Sequence, residues 1–400
     1  MTPKYHAEAQ ELMNLNSSLI VFPYFVFTLI DEAHPWYSSV PESWFLHQAG
    51  YTDAAHRIRS VEQRFCLMDV SNPAWRTFYV NWIDSVVDLY GYRGIFLDNM
   101  TMYPWVTTAT QAQLPSGIFN DWYTHLTTFL TALKNAVGTT PIVCNSLGID
   151  DAGVDPPLLY GPNNGTNVVA QVNGGALWEG FHSTAWKWAL DVTLSMMTYL
   201  KNNNKIFLGG THYTRNHDAL LSQRFNLAPL GVNGWIDDAT RPPLATFYRM
   251  QMSYLARFLL VSSGNKPFGY SFQPGTSNWQ FIPHYKPWDE KIGTPVDANY
   301  VDMETYYKRE FSHCISYVNK SETSSLVITL PTGMELYYYD YYTSIPGNNV
   351  FDKKLTNSTV TLNKMEGIVV FKRVTVDQKL EDGTTSSDSV GHWINNKFYV

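Results

Sequence analysis

Apolar runs of strand length alternate with helix-length periodic segments from residue 17 to about residue 272. This alternation is typical of βα units around a parallel sheet. Seven runs have the character of buried strands, at 19–27, 65–70, 94–98, 141–145, 173–179, 205–210 and 268–272. The segments between them that carry a helical period are 73–90, 118–137, 184–202, 218–226 and 243–262. The pattern therefore predicts an α/β fold with βα units around a parallel sheet.

The segment 73–90 illustrates the prediction of a helix. Asn72 followed by Pro73 is a start signal, apolar residues then recur at helical spacing up to Tyr90, and Gly91 is a stop signal. We therefore expect one continuous helix between the second and third apolar runs.

The pattern changes towards the end of the chain. From about residue 306 to 373, short alternating apolar and polar stretches are separated by Gly, Asn, Ser and Pro, which predicts a small antiparallel β-domain. The last residues are polar and rich in Ser and Asp before an aromatic end. We therefore predict a barrel at 1–300, an antiparallel β-domain at 301–373 and a polar tail at 374–400.

Composition narrows the class of protein. Only 16% of the 400 residues are charged and 15% are aromatic, so an intrinsically disordered chain is excluded and Asn, Thr, Ser and Tyr must supply much of the surface. The net charge of −7, without a Lys/Arg cluster, argues against a nucleic-acid partner or an anionic membrane. A polar, weakly charged surface fits a sugar-handling or extracellular protein.

Several other classes of site and segment are not expected. The longest apolar run, 19–30, is shorter than a membrane span and contains Pro23. The N-terminus lacks the charged and apolar regions of a secretory signal. Cys66, Cys144 and Cys314 lie far apart without metal-ligand spacing, so we expect buried thiols rather than disulfides or zinc. We predict no cofactor, no metal and no membrane span.

Two carboxylates follow buried strands and are the strongest candidates for chemistry. Asp98 ends the run Ile95-Phe96-Leu97, and Glu179 follows Ala176-Leu177-Trp178. In parallel barrels the C-terminal strand ends form the active site, and a carboxylate there is costly unless it is paired or used. The alternative is structural: Asp98 caps the following loop and Glu179 makes an ion pair. Two such acids at one opening are what glycoside cleavage requires.

The order of motifs resembles a known family. Seven motifs occur in the order seen in hypothetical TIM-barrel glycoside-hydrolase-like proteins. They are LMDVSNPAWRTFYVNWI, GYRGIFLDN, PIVCNS, ALWEGF, KIFLGG, ARFLLVSSG and YKREFSHCISYVN. These are bacterial and archaeal relatives of endo-polygalactosaminidase-like barrels with an appended β-sandwich. The resemblance spans roughly residues 10 to 372 and implies a (β/α)8 barrel.

The resemblance also implies roles for the two acids and one departure from the pattern. It places Asp98 at the end of the fourth strand as nucleophile and Glu179 at the end of the sixth as acid/base, in a retaining mechanism. Family members have a strand before a helix of the type at residues 2–18, whereas here that helix comes first. Seven runs against eight strands then predict a barrel without its first strand. We expect the resulting open edge to be covered by the C-terminal tail or a partner chain.

Other residues near the predicted strand ends are candidates for holding a carbohydrate. Hydroxyl-binding polar groups and ring-stacking aromatics are the side chains that a sugar needs. The candidates are Tyr24, Trp36, Trp44, Asp69, Asn99, Trp105, Asn145, Trp178, His182, His212 and Tyr270. For Asp69 the alternative is a cap of the 73–90 helix together with Asn72, and for Asn145 it is a bond to loop backbone. For the aromatic residues the alternative is core packing.

Two functions remain open from the sequence. The first is an enzyme that hydrolyses O-glycosidic bonds in a polysaccharide or surface glycan by means of Asp98 and Glu179. The second is a non-catalytic glycan-binding or structural protein of a cell or virion surface that keeps the fold. Either function predicts a carbohydrate ligand and an extracellular or surface location.

Overall fold

The protein was analysed as a computed structural model, which describes 6–61, 63–101, 103–145, 171–178, 187–209, 211–213, 244–262, 272–274, 292–332, 334–337, 354–355, 358–372, 378–379, 385–386, 392–394 and 397–399. The chain divides into two compact units. The first comprises Met1–Gly180 and Ser195–Leu208, and the second Phe181–Leu194 and Gly209–Val400. The predicted boundaries at residues 300 and 373 stay predictions.

The described helices lie where the sequence period placed them. They are α1 (His6–Leu15), α2 (Pro73–Tyr90), α3 (Thr108–Gln111), α4 (Ile118–Val137), α5 (Lys187–Asn202) and α6 (Leu244–Val261). The predicted bounds of α2 and α4 are confirmed at both ends, and those of α5 and α6 within three residues. The helix predicted at 218–226 lies outside the described residues.

The strands belong to one parallel sheet and several antiparallel pairings. Up to residue 274 they are β1 (Tyr24–Val26), β2 (Leu29–Asp31), β3 (Phe65–Leu67), β4 (Ile95–Asp98), β5 (Ile142–Asn145), β6 (Gly175–Trp178), β7 (Ile206–Gly209), β8 (Thr211–Tyr213) and β9 (Phe272–Pro274). The later strands are β10 (Val301–Asp302), β11 (Tyr306–Glu310), β12 (Cys314–Asn319), β13 (Leu326–Thr329), β14 (Met334–Tyr337), β15 (Lys354–Leu355), β16 (Thr359–Leu362), β17 (Gly367–Lys372), β18 (Gln378–Lys379), β19 (Thr385–Ser386), β20 (His392–Ile394) and β21 (Lys397–Tyr399).

The first unit is built on a parallel sheet in the order β1-β4-β5-β6-β7. Its register pairs Val26 with Asp98, and Leu97 with Cys144, so the C-terminal ends of neighbouring strands lie side by side. This sheet confirms the α/β class and the parallel arrangement of five of the seven predicted runs. The run at 268–272 meets the described residues in β9, which pairs in parallel with β8.

The run at 65–70 was wrongly assigned to the barrel sheet. β3 pairs antiparallel with β2, and β1 lies directly beside β4. A short apolar run has the same composition in an antiparallel strand pair as in a parallel sheet, so periodicity alone could not separate the two. In the described sheet Asp98 ends the second strand in spatial order and Trp178 the fourth. The places of Asp98 and Glu179 on the fourth and sixth strands of a closed barrel stay predictions. The barrel without its first strand, and the covering of its open edge by the C-terminal tail or a partner chain, stay predictions.

Aromatic residues fill the layer between the sheet and helices α2 and α4. Helix α2 begins where the Asn72 side chain accepts hydrogen bonds from the backbone N–H groups of Ala74 and Trp75, and it ends at Gly91, whose φ is +64°. Its buried face places Trp75 beside Phe27, and Phe27 stacks on Phe129 of α4 with ring centroids 3.7 Å apart. This packing fixes the residues that follow β1 against both helices.

Glycines allow the strands β5, β6 and β7 to approach one another closely. A Cβ atom on Gly174 would lie 2.7 Å from the carbonyl oxygen of Ile142. A Cβ on Gly175, whose φ is +152°, would lie 1.9 Å from the carbonyl oxygen of Ile206. The sequence Gly174-Gly175 is therefore required at the start of β6 because any side chain there collides with backbone.

Side chains of α2 bond to backbone groups of β1 and of the residue after it. The Tyr79 hydroxyl donates to the carbonyl oxygen of Val26 at 2.6 Å and accepts from the N–H of Val26 at 3.0 Å. The Trp75 indole donates to the carbonyl oxygen of Phe27 at 3.2 Å. Tyr79 is buried, and desolvation raises the pKa of its phenol. The Tyr79 hydroxyl thus satisfies both backbone hydrogen-bonding groups of Val26.

Replacing Tyr79 by Phe should leave both backbone groups of Val26 without their partner. We expect the free energy of unfolding to fall by about 2 kcal/mol, since each unmet buried hydrogen-bonding group costs about 1–3 kcal/mol. Denaturant unfolding followed by circular dichroism measures this loss. Tyr123→Phe on α4, where the side chain is 45% exposed, is the matched control and should change stability by less than about 0.5 kcal/mol. Equal stability of the two variants would contradict the role given to Tyr79.

The second unit contains the predicted antiparallel sheet. Its order is β10-β11-β12-β17-β14-β15, and β13 pairs separately with β16. Helix α6 packs against β12 and β17, where a Cβ on Gly367 would lie 2.8 Å from the Cβ of Ala256. The Ser316 hydroxyl donates to the carbonyl oxygen of Ala256 at 2.6 Å, and the Ser253 hydroxyl accepts from the N–H of Gly367 at 2.8 Å. These contacts join helix and sheet.

A buried arginine closes the C-terminal end of α6. Arg309 on β11 is 1% exposed and donates to the carbonyl oxygens of Leu259 at 3.1 Å and Leu260 at 2.9 Å. These are among the last carbonyls of the helix, which have no partner within it. The same guanidinium donates to the carbonyl oxygens of Asp297 and Ala298 at 3.3 Å. Burial lowers the pKa of Arg309 to about 10.

Candidate active site

Asp98 lies at the C-terminal end of β4 and accepts hydrogen bonds at both carboxylate oxygens. Asn145, at the end of β5, donates from Nδ2 to Oδ1 at 2.6 Å. The hydroxyl of Tyr24, on β1, donates to Oδ2. The three side chains come from three adjacent strands because the parallel register aligns the strand ends. The structure thus brings together Asp98 and two of the predicted carbohydrate-binding residues.

The residue after Asp98 turns the chain sharply out of the sheet. Asn99 has a left-handed φ of +53°, which Asn tolerates better than most residues. Its carbonyl oxygen accepts from the hydroxyl of Thr28 at 2.9 Å, and its Nδ2 lies 3.4 Å from Oδ2 of Asp98. Thr28 is 1% exposed. Thr28 is not among the candidates predicted from the sequence, although it is a polar residue directly after the apolar run 19–27, where site residues are expected.

The two faces of this part of the sheet differ in exposure. Phe25, Ile95 and Leu97 are buried, and Phe25 packs edge-on against Trp82 of α2. Tyr24 is 61% exposed and stacks on half-buried Phe96 with ring centroids 5.9 Å apart. Asp98 shares the face of Tyr24 and Phe96, so its carboxylate lies on the side of the sheet that faces away from α2.

Three of the predicted site residues, Glu179, His182 and Tyr270, lie outside the described residues. Trp178, which precedes Glu179, is the last residue of β6. His212 lies in β8, within the second unit.

Asp69 forms a local turn. Its Oδ1 accepts from the backbone N–H of Ser71 at 2.9 Å and from the Ser71 hydroxyl at 2.5 Å. Asn72, not Asp69, caps α2. The alternative that Asp69 caps α2 together with Asn72 is therefore wrong, because the Asp69 carboxylate bonds to Ser71 in a local turn instead. A contact to a sugar stays a prediction for this residue.

Two of the predicted sugar-stacking tryptophans pack on α2. Trp36 lies edge-on to Trp82, with ring centroids 4.4 Å apart, and Trp44 lies 5.1 Å from Phe78. Both side chains are half-buried. Trp105 is also half-buried, and its carbonyl oxygen accepts from the N–H of Val61 at 3.2 Å. The packing alternative thus accounts for much of the surface of Trp36 and Trp44, and their role in binding stays a prediction.

The segment 29–68 contains an ion-pair network that the sequence analysis did not identify. Arg57 makes a bidentate contact with Glu42, which also accepts from His47 at 2.8 Å. Chiefly through the Arg57 hydrogen bond, the pKa of Glu42 falls to about 2. Arg57 also donates to the hydroxyl of Tyr37 at 2.7 Å and lies over the ring of Phe45. These side chains are far apart in sequence, so no local motif reveals them.

This segment is bonded to the loop that follows β4. The N–H of Ala49 donates to the carbonyl oxygen of Gln113 at 2.9 Å, and Val61 donates to Trp105 as described. The N–H of Met68 donates to the carbonyl oxygen of Thr28 at 2.9 Å. The residues that follow β1 and β4 therefore form one connected structure beside Asp98.

Among the described residues, no three His, Cys, Asp or Glu side chains lie close enough together to hold a metal ion. Of the helices described, none has the length and apolar character that a bilayer crossing requires. The site as described consists of a carboxylate, amides and hydroxyls.

Comparisons with known structures give weak overall similarity. A single-residue variant of the glycoside hydrolase domain of PelA from Pseudomonas aeruginosa is 14% identical over 56% of this chain and 79% of its own, with a TM-score of 0.35. Ega3 of Aspergillus fumigatus, in complex with galactosamine, is 11% identical over 67% and 79%, with a TM-score of 0.37. An Anoxybacillus α-amylase is 13% identical over 93% and 79%, with a TM-score of 0.45. Likenesses of this size assign no residue a role.

The family comparison is more informative. None of the curated proteins is similar in sequence to this chain. The family model described as hypothetical glycosyl hydrolase family 15 matches residues 23–315, which include β1, β4, β5 and the whole of the Asp98 site. This match confirms the resemblance drawn from the order of the motifs, and it supports glycan hydrolysis as the general activity. The chain belongs to hypothetical glycosyl hydrolase family 15.

Proposed function

We propose that the protein hydrolyses O-glycosidic bonds in a polysaccharide or surface glycan, with Asp98 as nucleophile, Glu179 as acid/base and retention of anomeric configuration. The site operates without a cofactor, on a (β/α)8-type barrel with a small antiparallel β-sandwich. The protein works outside the cell or on a cell or virion surface. Membership of a glycosyl hydrolase family supports the reaction class, and the Asp98 site supports the choice of nucleophile.

The hydrogen bonding of Asp98 carries the proposal. Both of its oxygens accept hydrogen bonds, from Asn145 and Tyr24, so neither donor needs a proton on the carboxyl group. This is the pattern of an ionised carboxylate, which can attack an electrophilic carbon, rather than of a general acid. No ion pair joins Asp98 to a Lys or Arg among the described residues, so its charge is not neutralised there by a structural partner.

The chemistry proceeds in two balanced steps. An oxygen of Asp98 forms a bond to the anomeric carbon while the bond to the leaving glycosidic oxygen breaks, and Glu179 gives that oxygen a proton. Water then attacks the anomeric carbon and loses a proton to Glu179, and the Asp98 ester bond breaks. The two inversions give net retention, and Asp98 and Glu179 return to their starting states.

The test is to trap the first intermediate. The full chain is incubated with 2-deoxy-2-fluoro glycosyl fluorides of gluco and galacto configuration, and its intact mass and peptide map are measured. We expect a mass increase of one fluorosugar, located on Asp98, because fluorine beside the anomeric centre slows the release step. In parallel, soluble polysaccharides are screened for new reducing ends, and the anomer released first is identified by proton NMR.

The outcomes separate the alternatives. Label on Asp98 together with a retained anomer supports the proposal. An inverted first anomer without label overturns the nucleophile role and leaves Asp98 as a base. Retarded migration in polysaccharide-containing gels without any new reducing end overturns catalysis in favour of the non-catalytic glycan-binding protein.

A further inference from the structure

The two oxygens of the Asp98 carboxylate have different surroundings. Oδ1 accepts from Asn145, a residue that is 1% exposed, at 2.6 Å. Oδ2 accepts from the hydroxyl of Tyr24, a residue that is 61% exposed, and more weakly from Nδ2 of Asn99 at 3.4 Å. One oxygen is therefore bonded to a buried residue, and the other to a largely exposed residue.

The hydrogen bond to Asp98 explains the orientation of the Asn145 side-chain amide. Its Oδ1 is buried and has no hydrogen-bond partner among the described residues, which is uncommon for a buried amide. Turning the amide over would place its oxygen against the Asp98 carboxylate, where two acceptors repel. The residue therefore keeps one acceptor unmet while its Nδ2 stays on Asp98. Its own carbonyl oxygen accepts from the N–H of Met100 at 3.2 Å, so it also holds the backbone that leaves β4.

Tyr24 is bonded to the same carboxylate from a more open position. Its ring stacks on Phe96 with an interplanar angle of 27° and remains largely exposed. Because Tyr24 is 61% exposed, its hydroxyl can leave Oδ2 with a smaller loss of packing than a buried side chain would suffer. Oδ2 is the oxygen that a sugar entering from solvent can reach, provided that the tyrosine hydroxyl gives way.

We infer that Asn145 is the positioning residue of Asp98, and that the Tyr24 hydroxyl is a displaceable cover over the reactive oxygen, Oδ2. This inference rests on the proposed function of Asp98. Asn145 keeps Oδ1 fixed throughout the reaction, so that Oδ2 meets the anomeric carbon in one orientation. Tyr24 occupies Oδ2 in the free protein and leaves it when the sugar binds.

Kinetics of single variants distinguish an anchor from a cover. With any glycan that the wild type cleaves, Asn145→Ala should lower kcat about 100-fold with KM within about threefold, since small errors in orientation are that costly. Tyr24→Phe should lower kcat less than tenfold. A loss in Tyr24→Phe equal to that in Asn145→Ala overturns the inference, as does a loss in Asn145→Ala that appears only in KM.

The pH profile separates positioning from a merely structural role. Asn145→Asp keeps the shape of the side chain but sets a second carboxyl against Asp98, so one of the two must hold a proton. We expect the acid limb of kcat/KM to move to higher pH. Asn81→Asp and Asn81→Ala, at an exposed position of α2, are the matched controls and should leave the profile unchanged. An unmoved acid limb in Asn145→Asp overturns the inference, and this near-isosteric variant also serves if Asn145→Ala does not fold.

A readout without substrate keeps this inference separate from the proposed function. A water-soluble carbodiimide activates an accessible carboxylate, and glycine ethyl ester then displaces the urea to leave an amide that mass spectrometry locates. Asp98 should be labelled several-fold faster in Tyr24→Phe than in the wild type, because the substitution removes the hydroxyl that bonds to Oδ2. Equal rates overturn the inference even if the enzyme is active. Faster labelling in a protein that cleaves no glycan supports the geometry and overturns the proposed function alone.

Discussion

Asp98→Asn should abolish hydrolysis, with kcat at least about 10³-fold below the wild type on any glycan that the wild type cleaves. The amide is nearly the same size as the carboxylate, but it is a far weaker nucleophile and carries no charge to stabilise the oxocarbenium-like transition state. A thousandfold loss corresponds to about 4 kcal/mol of transition-state stabilisation. Initial rates of reducing-end release, measured at saturating substrate, give the result directly.

A matched variant and a chemical rescue sharpen this test. Asp88→Asn, at an exposed position on α2, makes the same chemical change away from the site and should keep full activity. For Asp98→Ala with an aryl glycoside, added azide should restore turnover and leave a glycosyl azide, because azide then attacks the anomeric carbon as the aryl oxide departs. Activity of Asp98→Asn within tenfold of the wild type would contradict the assignment.

Arg309→Met should destabilise the second unit by about 3 kcal/mol. The substitution keeps much of the side-chain volume but removes the donor to four backbone carbonyls, two of them at the end of α6. Each carbonyl left buried without a partner costs about 1–3 kcal/mol, and relief of the buried guanidinium charge offsets part of the sum. Calorimetry and denaturant unfolding followed by circular dichroism measure the loss.

Two further variants identify the cause of that loss. Arg309→Lys keeps a charge but only a single donor group, so its stability should fall between the wild type and Arg309→Met. Arg64→Met replaces an arginine whose side chain is 65% exposed and should change stability by less than about 0.5 kcal/mol. Arg309→Met as stable as Arg64→Met would show that other groups satisfy the end of α6.

The elements with a strong local signal were predictable from the sequence. Helix α2 carries an Asn-Pro start, a helical period and a Gly stop, and its predicted ends are those observed. β3 was misplaced because its three residues are as apolar as a barrel strand, and only its pairing with β2 separates the two. That pairing depends on residues more than thirty positions apart, which no short window contains.

The site was predictable as a set of residues but not as a set of contacts. Asp98 and Asn145 were selected because they end apolar runs, and Tyr24 because it is an aromatic residue near the predicted opening. The register of three strands then places them together. The sequence suggested that Asn145 binds a sugar hydroxyl or loop backbone, whereas it bonds to Asp98. Periodicity gives the strand on which a side chain lies, but the distance between two side chains follows from the twist and spacing of the strands.

The three buried thiols give the molecule its own reporters of opening. Cys144 lies in the parallel sheet and Cys314 in the antiparallel sheet, and burial raises the pKa of both thiols. Cys66, on β3, is also free and buried, and burial raises its pKa too. Because only a thiolate that solvent can reach is alkylated, each cysteine reacts when the structure around it opens. Time-resolved alkylation can therefore follow the parallel sheet, the antiparallel sheet and the β2–β3 strand pair separately, in a chain that needs no engineered label.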